Sequence, residues 1–257
     1  MRPRARVRLS EIASQWDRIA VDRYEQVVSG LDISARKVIA PAMLRLAAVR
    51  SDDTVADLGC GTGFFSNELA RRARSVNAID ISGESIRIAK ANYERPNLRF
   101  AVCSIESLAM KHENQFSLIV ANMVLMTTPG LTRNMKALSK LIAPGGRAVF
   151  SITHPWFWPR YWGYEDEDWF DYSAEIAIET EFRVSRQRLP QVTIHVHRPM
   201  SAYADAFMQA RLSIGHLQEL RPRPDTEALY PQKWDFPRFL AGRLYPLASE
   251  QRSPLGN

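Results

Sequence analysis

Between residues 54 and 153 the chain repeats one grammar: a short apolar run compatible with a strand, a turn, then a segment with apolar residues at helical spacing. The strands are TVADL (54–58), VNAID (76–80), LRFAVC (98–103), the opening of FSLIVANMVL (116–121) and RAVFSIT (147–153). Between them, FFSNELARRARS, the stretch from Ser82 through Tyr93, and LTRNMKALSKLI read as helices, the last one stopping at Pro144-Gly145-Gly146. Strands this short and apolar leave no face for water, so the pattern predicts an α/β fold whose doubly wound, mostly parallel sheet is covered on both sides. A ligand of such a sheet sits at the carboxyl ends of its strands. With 257 residues, 46% of them hydrophobic, the chain can build one core with an appendage.

The flanks follow other rules. In SEIASQWDRIAVDRYEQVVSG, Ser10 can cap a helix whose apolar stripe is Ile12, Trp16, Ile19, Ala20, Tyr24 and Val27, ending near Gly30. A second helix is expected from Ser34 to about Ala48, interrupted at Pro41. Ahead of both, Arg2, Arg4, Arg6 and Arg8 read as a solvated arm. After residue 154, HPWFWPRYWGYEDEDWFDY holds four of the six tryptophans without a period and reads as an irregular insertion, its acidic run Glu165 to Asp168 as a solvated loop. AEIAIETEFRV and QVTIHVH alternate like antiparallel strands, and RPMSAYADAFMQA predicts a helix from about Pro199. LSIGHLQEL and RFLAGRLY are expected as the last strands of the main sheet. The expected divisions are an arm and lid helices (1–49), a Rossmann-like core (50–153), an insertion shaping an acceptor pocket (154–198), a closing helix and strands (199–248) and a frayed tail (249–257).

Charge and cysteines narrow the function. The 34 basic and 28 acidic residues give +6, but the excess is scattered and favours no nucleic-acid partner. No apolar run approaches a membrane span and no secretory signal is evident, so the expected location is the cytoplasm, without a membrane partner. Cys60 and Cys103 supply neither a disulfide framework nor a metal site.

The stretch ADLGCGTGFF (56–65) is the chemical focus. Gly59, Gly61 and Gly63 stand between a strand and a helix, where backbone can approach a ligand closely. No Gly-Lys-Ser/Thr follows, which excludes a P-loop. A dinucleotide loop is nearer, since Asp80 ends the next strand and could bind ribose hydroxyls. Two features separate the readings: the glycines are spaced G-x-G-x-G, and Asp57 stands where a carboxylate would oppose pyrophosphate yet welcome an ammonium. An amino-acid-bearing nucleoside without phosphates fits better.

Asp57-Leu58-Gly59-Cys60-Gly61-Thr62-Gly63, with Asp80 ending the next strand, resembles the class I S-adenosylmethionine-dependent methyltransferases, over about residues 50–153. The resemblance implies S-adenosyl-L-methionine as cofactor, S-adenosyl-L-homocysteine as product, and no metal. Asp57 and the loop backbone (Gly59, Cys60, Gly61, Gly63) are then implied for the methionine part, Asp80 for the ribose and Ile81 for the adenine. Where the family usually carries an Asp that accepts from the adenine amino group, this chain has Ser104, followed by Ile105; a hydroxyl can still accept. Asn122 follows the fourth strand and faces the methionine part by the same analogy. Trp16 and Tyr24 lie on the helix that often lids the cofactor.

Methyl transfer is an in-line displacement that needs alignment and dryness more than a covalent enzyme group. His154, directly after the fifth strand, is the leading base candidate, the alternative being a histidine that holds the insertion by hydrogen bonds. Trp156 and Trp158 are candidates to line an acceptor pocket or to form a mini-core of the insertion, and His197 and Arg198 to contact the acceptor or start the next helix. The expected activity is methylation of an oxygen or nitrogen on a small organic acceptor. Methylation of RNA or protein, and a non-catalytic cofactor-binding scaffold, are the alternatives.

Overall fold

The computed structural model describes residues 1–247. In chain order the elements are β1 (Arg2–Arg4), α1 (Leu9–Val28), a π-helical turn (Ser34–Ile39) leading into α2 (Ala40–Ala47), β2 (Thr54–Leu58), α3 (Phe64–Ala70), β3 (Ser75–Asp80), α4 (Gly83–Asn92), β4 (Leu98–Val102), α5 (Ile105–Ala109), β5 (Phe116–Asn122), α6 (Leu131–Leu141) and β6 (Ile142–Thr153). Then follow α7 (Trp158–Trp162), β7 (Ile176–Arg183), β8 (Arg188–His197), α8 (Met200–Gln209), β9 (Leu212–Leu220), α9 (Pro224–Glu227) and β10 (Phe239–Pro246). The expected tail, 249–257, lies outside the described residues.

Seven strands form the main sheet in the order β4-β3-β2-β5-β6-β10-β9. The first five are parallel, and β10 and β9 add to the edge antiparallel. Val55, Leu58, Leu118, Ile119, Val120 and Val149 are fully buried, because one apolar cluster covers each face of the sheet. Chain direction across the sheet reverses at β2, which pairs with β3 on one side and β5 on the other. That switch point opens a crevice at the carboxyl end of β2, where the glycine loop lies.

The helices predicted from spacing are present, with physical differences at their ends, whereas the short α5, α7 and α9 carry no period that predicts them. α1 begins at Leu9 after Arg8 with no side-chain cap, so Ser10 sits inside the first turn and does not cap it. The interruption expected at Pro41 is displaced upstream as the π-helical turn, because the proline cannot donate an N–H to the preceding turn. Pro199 is the N-cap of α8 and stands just outside its first turn.

The arginine-rich opening is a correction. Instead of a solvated arm, Arg2–Arg4 pairs antiparallel with β7 and makes a second sheet, β1-β7-β8. Arg2 Nε donates to Glu179 Oε2 at 2.6 Å and Arg4 Nη1 to Glu179 Oε1 at 2.9 Å, while Arg4 Nη2 reaches Glu11 at 2.9 Å. Charge that periodicity reads as solvated is thus matched by an acid 175 or more positions away. The β7–β8 hairpin belongs to this small sheet, and Val196 N–H donates to Met126 O at 2.7 Å, tying it to the loop after β5.

Candidate active site

The cavity of about 320 Å³ lies where the crevice meets the small sheet. Its floor is the glycine loop and the carboxyl ends of β2, β3 and β5; its walls include Ile12 and Trp16 of α1, and β7 and β8 contribute Thr180, Phe182, Thr193 and His195. Thr180 pairs with Thr193 and Ile178 with His195, so these alternate positions share one face of the hairpin.

Each glycine in the loop has its own reason. Gly59 (φ +71°) turns against Val124, whose Cγ2 would stand 2.5 Å from an added Cβ, and Gly63 (φ +87°) against Ala89 and Phe100 at 2.9 Å. Gly61 (φ +53°) has nothing within 4 Å of that position and faces the cavity. The loop is therefore packed below and open above. Asp80 is set by the same backbone: its Oδ2 accepts from Gly61 N–H at 2.9 Å and its Oδ1 from Ser82 N–H at 2.8 Å. Burial pushes its carboxyl upward, against these two bonds.

Asp57 lies one layer deeper, at 1% exposure, and does not line the cavity. Ser66 Oγ donates to its Oδ2 at 2.6 Å, and its Oδ1 is buried without a partner. Burial pushes this carboxyl up to about 7, with the Ser66 bond opposing and the charge of Asp80 adding. Ile81, Cys60, Cys103, Ser104, Ile105 and Asn122 all line the cavity. The Ser104 hydroxyl is the N-cap of α5, accepting from Ser107 N–H at 3.2 Å and meeting Ser107 Oγ at 3.0 Å. Asn122 Oδ1 accepts from Ser151 Oγ at 2.6 Å, which leaves its amide nitrogen without a described partner.

Several expected site residues lie elsewhere. His154 is 3% exposed and does not line the cavity. Its Nδ1 faces the N–H groups of Trp156 and Phe157 at 3.2 and 3.4 Å, and its Nε2 faces Glu219 at 3.1 Å. Both ring nitrogens are engaged, so it fastens the start of the insertion to β9. Tyr24 donates to Asn92 at 2.7 Å and packs on Tyr93, joining α1 to α4 outside the cavity. Trp156 is 59% exposed against Tyr172, whereas Trp158 does line the cavity. His197 holds Tyr172 O at 3.0 Å inside a ring of Tyr164, Phe170 and Tyr172. Arg198 bonds Glu175 and the carbonyls of Leu125 and Thr128 at 2.7–2.9 Å, clamping the loop after β5 to the hairpin.

The residue missed in the sequence is His195. It lines the cavity beside Trp158, with ring centroids 6.1 Å apart, and makes no hydrogen bond to a described residue. Burial, then the charges of His197 and Arg198, push its pKa down to about 3, so the imidazole is neutral. The period-2 alternation of QVTIHVH places His195 and His197 on the same strand face as Thr193; only the tertiary path of the hairpin separates the two environments.

Residues 55–146 match a family described as a methyltransferase domain. The match spans a little over a third of the chain. Relatives extend the likeness in sequence and in shape. A ubiquinone biosynthesis O-methyltransferase of Psychrobacter cryohalolentis is 36% identical over 101 residues, 38% of this chain and 39% of the relative. The chain thus spans about two fifths of the length of that curated relative. A structure from Listeria monocytogenes, described as a putative S-adenosylmethionine-dependent methyltransferase, superposes with a TM-score of 0.66 at 21% identity, over 81% of this chain and 95% of the other. The 1,6-didemethyltoxoflavin-N1-methyltransferase of Burkholderia thailandensis, with S-adenosylhomocysteine bound, gives 0.59 at 17% identity, over 95% and 93%. These two likenesses show that the fold of this chain is shared with those structures over 81% and 95% of its length.

The site also fits the cofactor of that fold on its own terms. A carboxylate with lone pairs to spare at the end of β3, a glycine open to the cavity, and a buried carboxyl oxygen lacking a partner suit a ribose carrying a cationic amino-acid tail.

Proposed function

We propose that this chain transfers a methyl group from S-adenosyl-L-methionine to an oxygen or nitrogen of a small organic acceptor, leaving S-adenosyl-L-homocysteine. The observation that carries the proposal is the continuity of one cavity from the open face of Gly61 to His195 and Trp158 under the small sheet. A cofactor held at the loop and an acceptor held under the hairpin would share one enclosed space. The O-methyltransferase and N1-methyltransferase among the relatives support both acceptor atoms.

When bound, S-adenosylmethionine supplies an electrophilic methyl group on a sulfonium. The chain supplies the rest. Asp80 would hold the ribose hydroxyls, Ile81 and Ile105 would hold the adenine, and the remaining Ser104 lone pair would serve its amino group. Asp57 stabilises positive charge from below the loop, Asn122 offers its amide to the methionine part, and Trp16 closes the site from α1. The aromatic walls exclude water, which raises the value of alignment. His195, neutral and free of protein hydrogen bonds, receives the proton of the acceptor hydroxyl or orients an acceptor amine.

The test is release of S-adenosylhomocysteine from labelled methyl donor across a panel of hydroxylated and amino acceptors, for wild type and Asp80→Ala. Turnover with at least one acceptor, and a loss of cofactor affinity of roughly ten- to hundred-fold in the variant, is the expected result. Undiminished affinity in Asp80→Ala would contradict the placement of the ribose.

A further inference from the structure

Two arginines on the insertion side of the cavity lack an acid. Arg183, the last residue of β7, stacks its guanidinium 4.4 Å over the Trp162 ring and donates from Nη2 to Tyr161 O at 3.1 Å, leaving Nε buried and unpartnered. Arg238, just ahead of β10 and 7% exposed, lies 4.0 Å over Tyr161 and 4.3 Å over Trp234. Its single described backbone contact is Lys233 O at 3.5 Å, the limit of a hydrogen bond, and its Nε is also buried without a partner. Both side chains line the cavity.

The other deep arginines of this chain are neutralised: Arg147 by Asp53 at 2.7 Å and Arg198 by Glu175 at 2.7 Å. Arg183 and Arg238 have no ion pair to a described carboxylate, and Asp32, which also lines the cavity, is committed to Arg23 at 3.0 Å and to Ala35 N–H at 2.9 Å. A buried cation and a half-buried one that also repel each other are costly unless an anion completes them. Stacking covers the faces of both guanidinium planes and leaves the Nε–H of each as the buried donor without a partner. An edge-on pair of donors in an apolar box is the geometry that captures a carboxylate or phosphoryl oxygen pair.

We propose that Arg183 and Arg238 bind an oxyanion, carboxylate or phosphoryl, carried by the methyl acceptor, so that the acceptor is a small organic acid. The assignment rests on the reading of this cavity as the site of methyl transfer. It also gives the chamber a polarity: the acceptor's anion at the arginines, its nucleophile toward His195, and the cationic cofactor at the acidic loop. An anion in the same cavity opposes the charges of His197 and Arg198 on the His195 imidazole, which makes it a better proton acceptor in the complex than in the free protein.

The experiment is calorimetric titration of protein saturated with S-adenosylhomocysteine, using 4-hydroxybenzoate, phenylphosphonate and the uncharged 4-hydroxybenzamide as probes. At least one anionic probe is expected to bind roughly ten-fold tighter than the amide, and the better of the two distinguishes carboxylate from phosphoryl recognition. Arg183→Met and Arg238→Met should each remove that preference and leave affinity for S-adenosylhomocysteine within about two-fold; Arg238→Lys, which keeps the charge and loses the fork, should restore part of it. Equal affinity for charged and uncharged probes, anion binding unmoved by either substitution, or no anion binding up to about 10 mM would each overturn the proposal. Failure of S-adenosylhomocysteine to bind wild type at all would instead overturn the reading of the cavity on which it rests.

Discussion

At the scale of single residues, the site separates groups that face the cavity from groups that only hold it. His195→Gln should lower turnover by roughly 10²–10⁴-fold with cofactor affinity retained, whereas His154→Gln should lower thermal stability while the pH profile of turnover keeps its shape. Steady-state kinetics beside calorimetry would check both, and a fully active His195→Gln would remove it as the proton acceptor. Asp57 gives a pH dependence. Its carboxyl is raised from 3.8 to about 7 in the folded free protein, so between those values the folded state holds a proton that the unfolded state has released. The stability from this proton is present below about pH 4 and declines as pH rises, levelling off above about 7. A cationic ligand reverses the preference for the neutral form, so S-adenosylmethionine binding should release a proton and tighten as pH rises from about 5.5 to 7. Calorimetry in two buffers of different ionisation enthalpy would measure that proton, and Asp57→Asn should abolish it. The glycine loop and Asp80 were legible in the sequence because local backbone geometry dictates their residue types. His195, Arg183 and Arg238 were not, because their meaning comes from the absence of a partner, and partners are a tertiary property.

At the scale of elements, period and composition predicted the five core strands and three of the four helices between them, α5 being too short to show a period. They did not predict where the hairpin β7–β8 would dock, or that Arg2–Arg4 would become its third strand. An edge strand of three residues carries no period, and its register is held by Glu179, which is 7% exposed beneath Arg2 and Arg4. Replacing Glu179 with Ala should therefore release the arm. The expected outcome is roughly ten-fold faster tryptic cleavage after Arg4, Arg6 or Arg8, followed by mass spectrometry, with the rest of the chain still protected. An unchanged cleavage rate would mean that backbone pairing alone holds β1. Because Leu9, Ile12 and Trp16 of the adjoining α1 line the cavity, release should also weaken S-adenosylhomocysteine binding by a few-fold.

At the scale of the whole molecule, two sheets enclose one chamber: the main sheet presents the acidic loop and, just ahead of β10, Arg238, while the small sheet presents His195 and Arg183. The segment that matches a methyltransferase domain, residues 55–146, accounts for the first half of that chamber. The second half comes from residues outside it, among them Trp158, Arg183, His195 and Arg238. On the proposed reading, acceptor specificity belongs to the part of the chain that sequence patterning describes least. Among the described residues no helix is long and apolar enough to cross a membrane, and none of the roles assigned above needs one. The central claim is that the glycine loop holds a nucleoside bearing an amino acid. Isothermal titration of the purified protein with S-adenosylmethionine, S-adenosylhomocysteine and NAD, each in turn, tests it most directly. The account predicts one-to-one binding of the first two and none of NAD; binding of NAD alone, or of none of the three, would contradict it.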